Sequence, residues 1–238
     1  MQASVNRCTQ PIGSYGARPH LKRDPLGRSA MRRSLFLVAL LLSTRWAIAG
    51  AQDYERHGGW FEFNLGAGLA RFACDSCDYH RATATNSAQL AGLAVSFGAG
   101  GTLSPRLRGG FEYRTWLHRP FANDDTTPEL QMLNFLVVAY ARDQGGPFLE
   151  LGAGPSEYSL ARGVDLIEPV SKTANPVVSG GGDGLQLGVG WEFRSGGSAR
   201  LIYSLAREPT LGADGGATVA TGWRHHVLLL ELGSRGAP

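Results

Sequence analysis

The sequence contains little of what a metal-cluster protein or a helical membrane protein requires. Lysine is nearly absent, and only 3 cysteines occur among 238 residues. No second C-x-x-C accompanies the pair Cys74 and Cys77, which excludes a four-cysteine zinc site. The longest apolar run, Leu35–Leu42, is far shorter than the roughly 20 residues of a membrane-spanning helix. No later segment has the pattern of a long amphipathic helix.

Positive charge is scarce outside the first 51 residues. These residues hold 8 of the 23 Lys and Arg but only 1 of the 20 Asp and Glu, so the remainder carries 15 basic and 19 acidic residues. The high isoelectric point is therefore a property of the leader, and we expect no nucleic-acid partner.

The leader has the layout of an export signal. Arg32 and Arg33 form a charged start after Met31, Leu35–Leu42 is the apolar centre, and small residues within Ala47–Ala51 suit cleavage. A buried helix or a membrane anchor is the alternative interpretation.

These features divide the chain into three parts. Residues 1–30 are an upstream extension or a misassigned start, residues 31–51 are a signal peptide, and residues 52–238 form the exported domain. Export would place Cys74 and Cys77 in an oxidising compartment.

The exported part alternates apolar and other residues with the period of a β-strand. In WFEFNLGAGLARF, residues Trp60–Phe72, one face is aromatic and aliphatic, whereas the other carries Glu62, Asn64 and glycines. Similar segments recur along the chain. The eight predicted strands span residues 60–72, 88–101, 107–117, 130–142, 148–160, 185–194, 200–207 and 223–233.

The connections between these strands alternate between long and short, beginning and ending with a long one. The last two long loops are predicted at residues 161–184 and 208–222. An up-and-down outer-membrane barrel has short periplasmic turns and longer outer loops, whereas a Greek-key sandwich has no reason to alternate. The sequence therefore predicts an all-β fold, an eight-stranded antiparallel up-and-down transmembrane β-barrel. A secreted soluble barrel or sandwich is the alternative.

The two strand faces indicate which side meets lipid. Glycine on a water-facing strand weakens the strand and covers nothing, but inside a narrow barrel it makes room for Glu and Arg side chains that must pair. The opposite face is aliphatic, with aromatic residues such as Trp191 and Tyr203 toward the strand ends, which suits a membrane girdle. We predict a lumen ion network of Glu62, Glu112, Arg114, Glu150, Glu192 and Arg194.

Four segments, WFEFNLGAGLA, LSPRLRGGFEYR, PFLELGAGP and LQLGVGWEFR, resemble the small eight-stranded outer-membrane barrels of the OmpA/OmpX type. The resemblance covers residues 52–233. It implies location in the outer membrane, contact with lipid and lipopolysaccharide, and insertion by the barrel-insertion machinery. Such chains usually end on an aromatic residue that this machinery reads, and here Leu232 is nearest to that position.

The segment CDSC offers Cys74 and Cys77, with Asp78 and His80 close behind. A C-x-x-C pair can be redox-active or form half of a zinc site. The motif does not open a helix after a strand, and it lies in a predicted surface loop, so a local loop disulfide is the expected state. We expect no metal site and no cofactor.

Two histidines, His225 and His226, lie on opposite faces of the last predicted strand. A lipid-modifying enzyme would need a serine and a histidine within hydrogen-bond reach, and Ser204 is the nearest candidate. The His-x-Ser spacing of lipid A deacylases is absent. The glycine run Gly180–Gly182 does not open a helix, which argues against a nucleotide-binding loop.

The sequence thus predicts an integral outer-membrane barrel with a structural or surface-binding role through four extracellular loops, and no catalysis. A narrow porin-like channel and an outer-membrane lipid-modifying enzyme are the alternatives. Loops on a rigid scaffold are where recognition usually resides, but the sequence identifies no loop ligand.

Overall fold

The computed structural model describes residues 56–84, 87–118, 127–161, 177–213 and 216–236. The predicted upstream extension at 1–30 and the predicted signal peptide at 31–51 lie outside the described residues.

Eight long strands form one antiparallel sheet, and each strand pairs with its neighbours in the chain. The strands are β1 Gly59–Ala73, β2 Gln89–Ser104, β3 Leu107–His118, β4 Thr127–Tyr140, β5 Gly146–Ala161, β6 Val178–Glu192, β7 Gly197–Ala213 and β8 Thr218–Gly236. The first and last strands also pair, so the sheet is closed. The predicted eight-stranded antiparallel up-and-down barrel is confirmed.

The seam between β1 and β8 is continuous. It runs from Phe61 opposite Gly236 to Ala73 opposite Arg224. Along this seam neither strand has an unpaired edge, which is what a sheet inside hydrocarbon requires, because lipid cannot hydrogen-bond to free backbone groups.

The two ends of the barrel differ. Three short turns, between β2 and β3, β4 and β5, and β6 and β7, lie at one end, here called the turn end. The other four connections lie at the opposite end, here called the loop end. Two of the predicted long loops are shorter than expected: β6 begins at Val178, and the connection from β7 to β8 spans only residues 214–217.

The predicted loop at 208–222 is instead a β-ribbon, in which β7 and β8 continue past the last residue of β8 that pairs with β1. Pro209 lies between two paired rows, Glu208 opposite Trp223 and Thr210 opposite Thr221. Gly222 lies across from Pro209 and has a φ of +60°. A positive φ at glycine accommodates the irregularity that a proline without an N–H imposes on a ladder.

The connection after β1 folds back over the loop end. It contains a two-residue strand, Ser76–Cys77, that pairs with β8, and a short helix α1, Tyr79–Thr83. Asp78 caps α1 by accepting a hydrogen bond from the Arg81 backbone N–H at 3.2 Å. In the described residues, no helix is long and apolar enough to cross a membrane.

Large apolar side chains point outward from the barrel. Phe61, Phe97, Phe135, Leu187 and Leu230 are between 46% and 61% exposed. An exposed apolar surface that surrounds the protein is incompatible with water and marks contact with membrane hydrocarbon. This belt is the lipid-facing surface that the strand pattern predicts.

The first prediction concerns the seam. A Cβ on Gly68 would collide with the Leu228 carbonyl oxygen of the neighbouring strand, whereas a Cβ on Gly101 meets nothing within 4 Å. We expect Gly68→Val to lower the temperature at which the barrel unfolds in detergent. Samples are heated to a series of temperatures before electrophoresis, and unfolding is measured as the loss of the fast-migrating folded band. Gly101→Val, the matched control, should keep the wild-type transition. Equal transitions in the two variants would contradict the described β1–β8 pairing.

Candidate functional site

Arg200 on β7 is the centre of the lumen. Its guanidinium donates hydrogen bonds to four carboxylates from other strands, at distances from 2.5 to 2.9 Å, and its side chain is fully buried. The four carboxylates belong to Glu62, Glu112, Glu150 and Glu231. Arg200 also donates to the Ser96 hydroxyl at 2.9 Å. One cation therefore holds several strands of the wall around a single point.

A second guanidinium, that of Arg114 on β3, pairs with two of the same carboxylates from the opposite wall. It lies 2.7 Å from Glu112 and 3.1 Å from Glu231. Arg114 also donates to the Gln186 side-chain oxygen at 2.5 Å, and the Gln186 amide in turn donates to Glu112 at 3.1 Å and to Glu150. The amide thus connects the carboxylates that the two arginines bind.

The turn end has its own charged layer around Glu192 on β6. Arg56 donates to Glu192 at 2.8 Å, and Arg235 donates to its other oxygen at 2.8 Å. Arg108 lies 3.4 Å from Glu192. The Tyr140 hydroxyl accepts from both Arg108 and Arg235.

Arg56 also joins the short turns to one another. Its guanidinium donates to the backbone oxygens of Pro105 at 3.1 Å, Arg142 at 2.5 Å and Gly145 at 3.1 Å. It lies 3.6 Å from the centre of the Tyr140 ring, close enough for a cation–π contact. Arg56, three residues before β1, therefore closes the turn end over the lumen.

Aromatic side chains fill the lumen toward the loop end. The Phe72 ring lies 5.4 Å from that of Trp223, 5.9 Å from that of Tyr158 and 6.3 Å from that of Trp116. His225 packs beside them, 4.8 Å from the Tyr158 ring. All five are at most 2% exposed. We call these five residues the aromatic plug.

A buried carboxylate and the connection after β1 lie next to the aromatic plug at the loop end. Glu208 accepts a hydrogen bond from the Ser156 hydroxyl at 2.9 Å and lies 2.7 Å from the His225 ring nitrogen Nε2. The Tyr158 hydroxyl donates to the Ala82 carbonyl oxygen of α1 at 2.7 Å. This hydrogen bond therefore fixes helix α1 over the loop end of the lumen.

The lumen is braced across its diameter at three levels. Near the turn end, Arg235 on β8 reaches Tyr140 on β4. In the middle, Arg200 on β7 reaches Glu112 on β3. Near the loop end, Tyr158 on β5 meets Phe72 on β1. Each pair joins strands four positions apart in a ring of eight, so these contacts cross the full interior.

Charge in this interior is nearly balanced. Among the described residues, the buried carboxylates are the six of Glu62, Glu112, Glu150, Glu192, Glu208 and Glu231, and the buried guanidiniums are the five of Arg56, Arg108, Arg114, Arg200 and Arg235. His225 lies beside Glu208. Buried charges that are paired and hydrogen-bonded in this way are a structural device.

Five of the six residues predicted for the lumen network lie in it: Glu62, Glu112, Arg114, Glu150 and Glu192. Arg194 does not. Strand β6 ends at Glu192, and Arg194 lies exposed in the turn that the Phe193 backbone closes by donating to Gly197 at 2.8 Å. Strand parity would place Arg194 inside, but parity does not continue through a turn.

Several central residues were missed by the sequence analysis, and two of them carried a signal. Leu201, Tyr203 and Leu205 alternate along the predicted strand 200–207, and Tyr203 was assigned to the outer face, which by alternation places Arg200 inside. The leucines around Glu231 place it inside in the same way. Arg235 had no such signal, because the predicted strand stopped at Gly233.

Cys74 and Cys77 are joined by a disulfide, with Cα atoms 6.0 Å apart. Both side chains pack against the apolar cluster at the loop end, where Val219 and Ala220 lie. The bond therefore links the residue that follows β1 to the two-residue strand Ser76–Cys77. Among the described residues, no group of three or more His, Cys, Asp or Glu side chains could hold a metal ion.

Ser204 and His226 lie on opposite faces of the wall. Ser204 points into the lumen and accepts a hydrogen bond from Arg114 at 3.4 Å. His226 points outward, and its Nδ1 lies 2.6 Å from the Tyr203 hydroxyl. The register explains the separation: Leu205, not Ser204, is opposite His226, and directly opposed residues of an antiparallel pair share a face. The two cannot form a serine–histidine pair.

No protein-family model matches the sequence, and none of the curated proteins matches it. Solved structures of small outer-membrane barrels have a similar fold. Ail, the attachment invasion locus protein of Yersinia pestis, is 10% identical over 75% of this chain and 99% of its own, with a TM-score of 0.45. Neisserial surface protein A is 14% identical over 73% and 96%, with a TM-score of 0.45. The N-terminal barrel domain of OprF from Pseudomonas aeruginosa is 12% identical over 77% and 100%, with a TM-score of 0.39.

The closed sheet of this chain and its outward apolar belt by themselves define an eight-stranded barrel.

The second prediction tests the centre of the network. Arg200→Met leaves four carboxylates facing one another without their shared cation, and breaking a buried pair costs about 3–5 kcal/mol. We expect urea unfolding in lipid vesicles, followed by tryptophan fluorescence, to show a loss of that size. Arg194→Met, the matched control in the exposed turn, should change the free energy of unfolding by less than about 0.5 kcal/mol. Similar losses in both variants would contradict the assigned interior.

Proposed function

We propose that this protein is a sealed integral barrel of the outer membrane that contributes to membrane structure and presents a binding surface at its loop end. The observation that carries the proposal is the combination of an outward apolar belt with a lumen braced by charged and aromatic side chains. Such a molecule holds a fixed surface at the membrane without needing a passage through its centre.

Location in the outer membrane is supported by the architecture. Closed barrels of this kind place short turns in the periplasm and longer connections outside. The loop end of this barrel carries the disulfide, which forms in an oxidising compartment. On this proposal, the export signal at 31–51 is removed, the barrel-insertion machinery assembles the sheet, and lipid and lipopolysaccharide surround the belt.

A conducting channel is opposed by the lumen contacts. Ion movement would have to break the bonds of Arg200, then those of Glu192 at the turn end, and separate the aromatic plug at the loop end. Small eight-stranded barrels are filled by their own side chains.

The third prediction tests this seal. Wild-type protein reconstituted in planar lipid bilayers should produce no stable unitary conductance. Reconstitution is checked by the heat-dependent gel shift of the same sample, so that an empty bilayer is not read as a closed barrel. Stable, reproducible conductance steps from the folded protein would contradict the proposal and favour the channel alternative.

The described residues also give the lipid-modifying alternative no serine–histidine pair at Ser204 and His226.

The loop end is built as a raised wall. Strands β5 to β8 continue above the level at which β3 ends and β4 begins, and the two-residue strand Ser76–Cys77 extends the wall at β8. An apolar cluster that includes Val178, Leu211 and Val219 packs behind it. This packing gives the surface a defined shape, which is what recognition by loops on a rigid scaffold requires.

The fourth prediction tests which end faces outward. After reduction with a membrane-impermeant phosphine, intact cells should label Cys74 and Cys77 with an impermeant maleimide. The signal-peptide prediction removes Cys8, so these are the only cysteines of the mature chain. The control is the double variant C74S/C77S, which should remain unlabelled. Labelling only after the outer membrane is permeabilised would show that the loop end faces the periplasm.

A further inference from the structure

Basic side chains cluster on the outer wall at the loop-end edge of the apolar belt. Arg71 on β1 is directly opposite His226 on β8, and Arg207 on β7 is directly opposite Arg224 on β8. All three arginines are exposed, and His226 is partly exposed. We call these four residues the cationic patch.

Two of the positive charges in the cationic patch repel each other. Like charges directly opposite in an antiparallel pair repel each other, and Arg207 and Arg224 are such a pair. Arg224 donates to Asp75 at 2.9 Å, but both side chains are largely exposed, so this pair contributes little. Asp183 is opposite Arg207 on its other side. Within the described part of the chain, Arg71 and Arg207 form no ion pair.

The edge of the belt is polarised around the barrel. On β4 and β5, far from the cationic patch, the outward residues at the corresponding level include Glu129, Gln131 and Glu157. An anionic ligand at the membrane surface would therefore be attracted to the β7–β8–β1 side and repelled from the β4–β5 side.

An apolar groove of about 550 Å³ begins beside the cationic patch. It crosses the outer wall from Tyr203 and Leu205 to Phe135, over a floor that contains Ala153. Leu205 is directly opposite His226, and the Tyr203 hydroxyl contacts the same histidine at 2.6 Å. The groove and the cationic patch thus meet at His226.

We propose that this part of the wall binds a phosphorylated acyl glycolipid of the outer leaflet, of the lipid A type. A phosphate is held by Arg71, Arg207 and Arg224, and an acyl chain occupies the groove below. Arginine is suited to this because its planar fork donates two parallel hydrogen bonds to phosphate oxygens. A phosphate between Arg207 and Arg224 would also remove the repulsion between them.

Both parts of the site point to the same occupant. The cationic patch lies where the apolar belt ends, which is the level of lipid headgroups. The groove lies one row deeper, at the level of acyl chains. A soluble anion would use the patch without the groove, and a second apolar chain would use the groove without the patch. The inference rests on the proposed outer-membrane location.

The test uses full-length mature protein reconstituted into phosphatidylcholine vesicles that contain bisphosphorylated lipid A. The protein is extracted in mild detergent, and retained lipid is counted by native mass spectrometry. The triple variant R71Q/R207Q/R224Q should retain roughly 10- to 100-fold less lipid A than wild type. The matched triple variant R106Q/R142Q/R194Q removes the same charge at the turn end and should retain the wild-type amount.

Ala153→Phe tests the groove by filling its floor, and it should also lower retention. Dephosphorylated lipid A and phosphatidylglycerol, tested in the same way, should be retained less than lipid A. Equal loss in the two triple variants, equal retention of dephosphorylated lipid A or phosphatidylglycerol, or full retention by Ala153→Phe would overturn the proposal. Detection of a second bound copy of the protein in place of lipid A would also overturn the proposal.

The outcome is separable from that of the proposed function. If the barrel does not reside in the outer membrane, surface labelling of Cys74 and Cys77 fails. If only the lipid site is wrong, the protein still labels from outside and still shows the heat-dependent gel shift.

Discussion

Pairing of charge inside a narrow closed sheet is the constraint on which the rest of this structure depends. The outer wall is apolar, so the ionic side chains of the inner faces are confined to the lumen, and each must find a partner there. Arg200 satisfies four carboxylates that come from different strands. Those bonds hold the strands of the sheet in one register and leave the interior occupied by protein.

The small residues of the inner faces follow from the same constraint. Gly188 lies against the Glu150 side chain, and a Cβ there would sit only 3.3 Å from its carboxylate oxygen. Gly98 lies against Glu62 and the Trp60 ring in the same way. Glycine weakens a strand in isolation, but here it provides the space that long charged side chains need. The abundance of glycine in the sequence and the buried ion network are two consequences of one packing problem.

The division of the barrel into levels also explains how a surface role arises. The charged layers and the aromatic plug make the wall rigid, and this rigidity extends to the loop end through Tyr158, whose hydroxyl fixes α1. The described elements of that end are therefore held by the barrel interior as well as by their own strands. On the proposed function, a partner would meet a preformed surface, which lowers the ordering cost of binding.

The sequence predicted the strands, their order and the lipid-facing side, because period-2 alternation is strong wherever one face meets hydrocarbon and the other meets charge. It was less accurate where a strand stops or continues. Arg194 was placed inside because alternation was extended into a turn, and Arg235 was omitted because the last strand was ended too early. The ribbon around Pro209 was taken for a loop, since composition does not reveal that Gly222 accommodates the proline. Which carboxylate meets which guanidinium depends on strands distant in sequence, and a local pattern holds no such information.

The central claim is that the wall separates hydrocarbon outside from paired charges inside, and spin-label accessibility measures it directly. Single nitroxides are placed at successive positions from 185 to 190 on β6, in vesicles, in a background without cysteine. Collision with oxygen, which concentrates in lipid, should peak at Leu185, Leu187 and Val189. The collision rate with oxygen should be lower at Gln186, Gly188 and Gly190. A water-soluble nickel reagent should not reach these inner positions either. Higher oxygen collision rates at the inner positions than at the outer ones would contradict the account. So would nickel collision rates at the inner positions as high as those of a label in water.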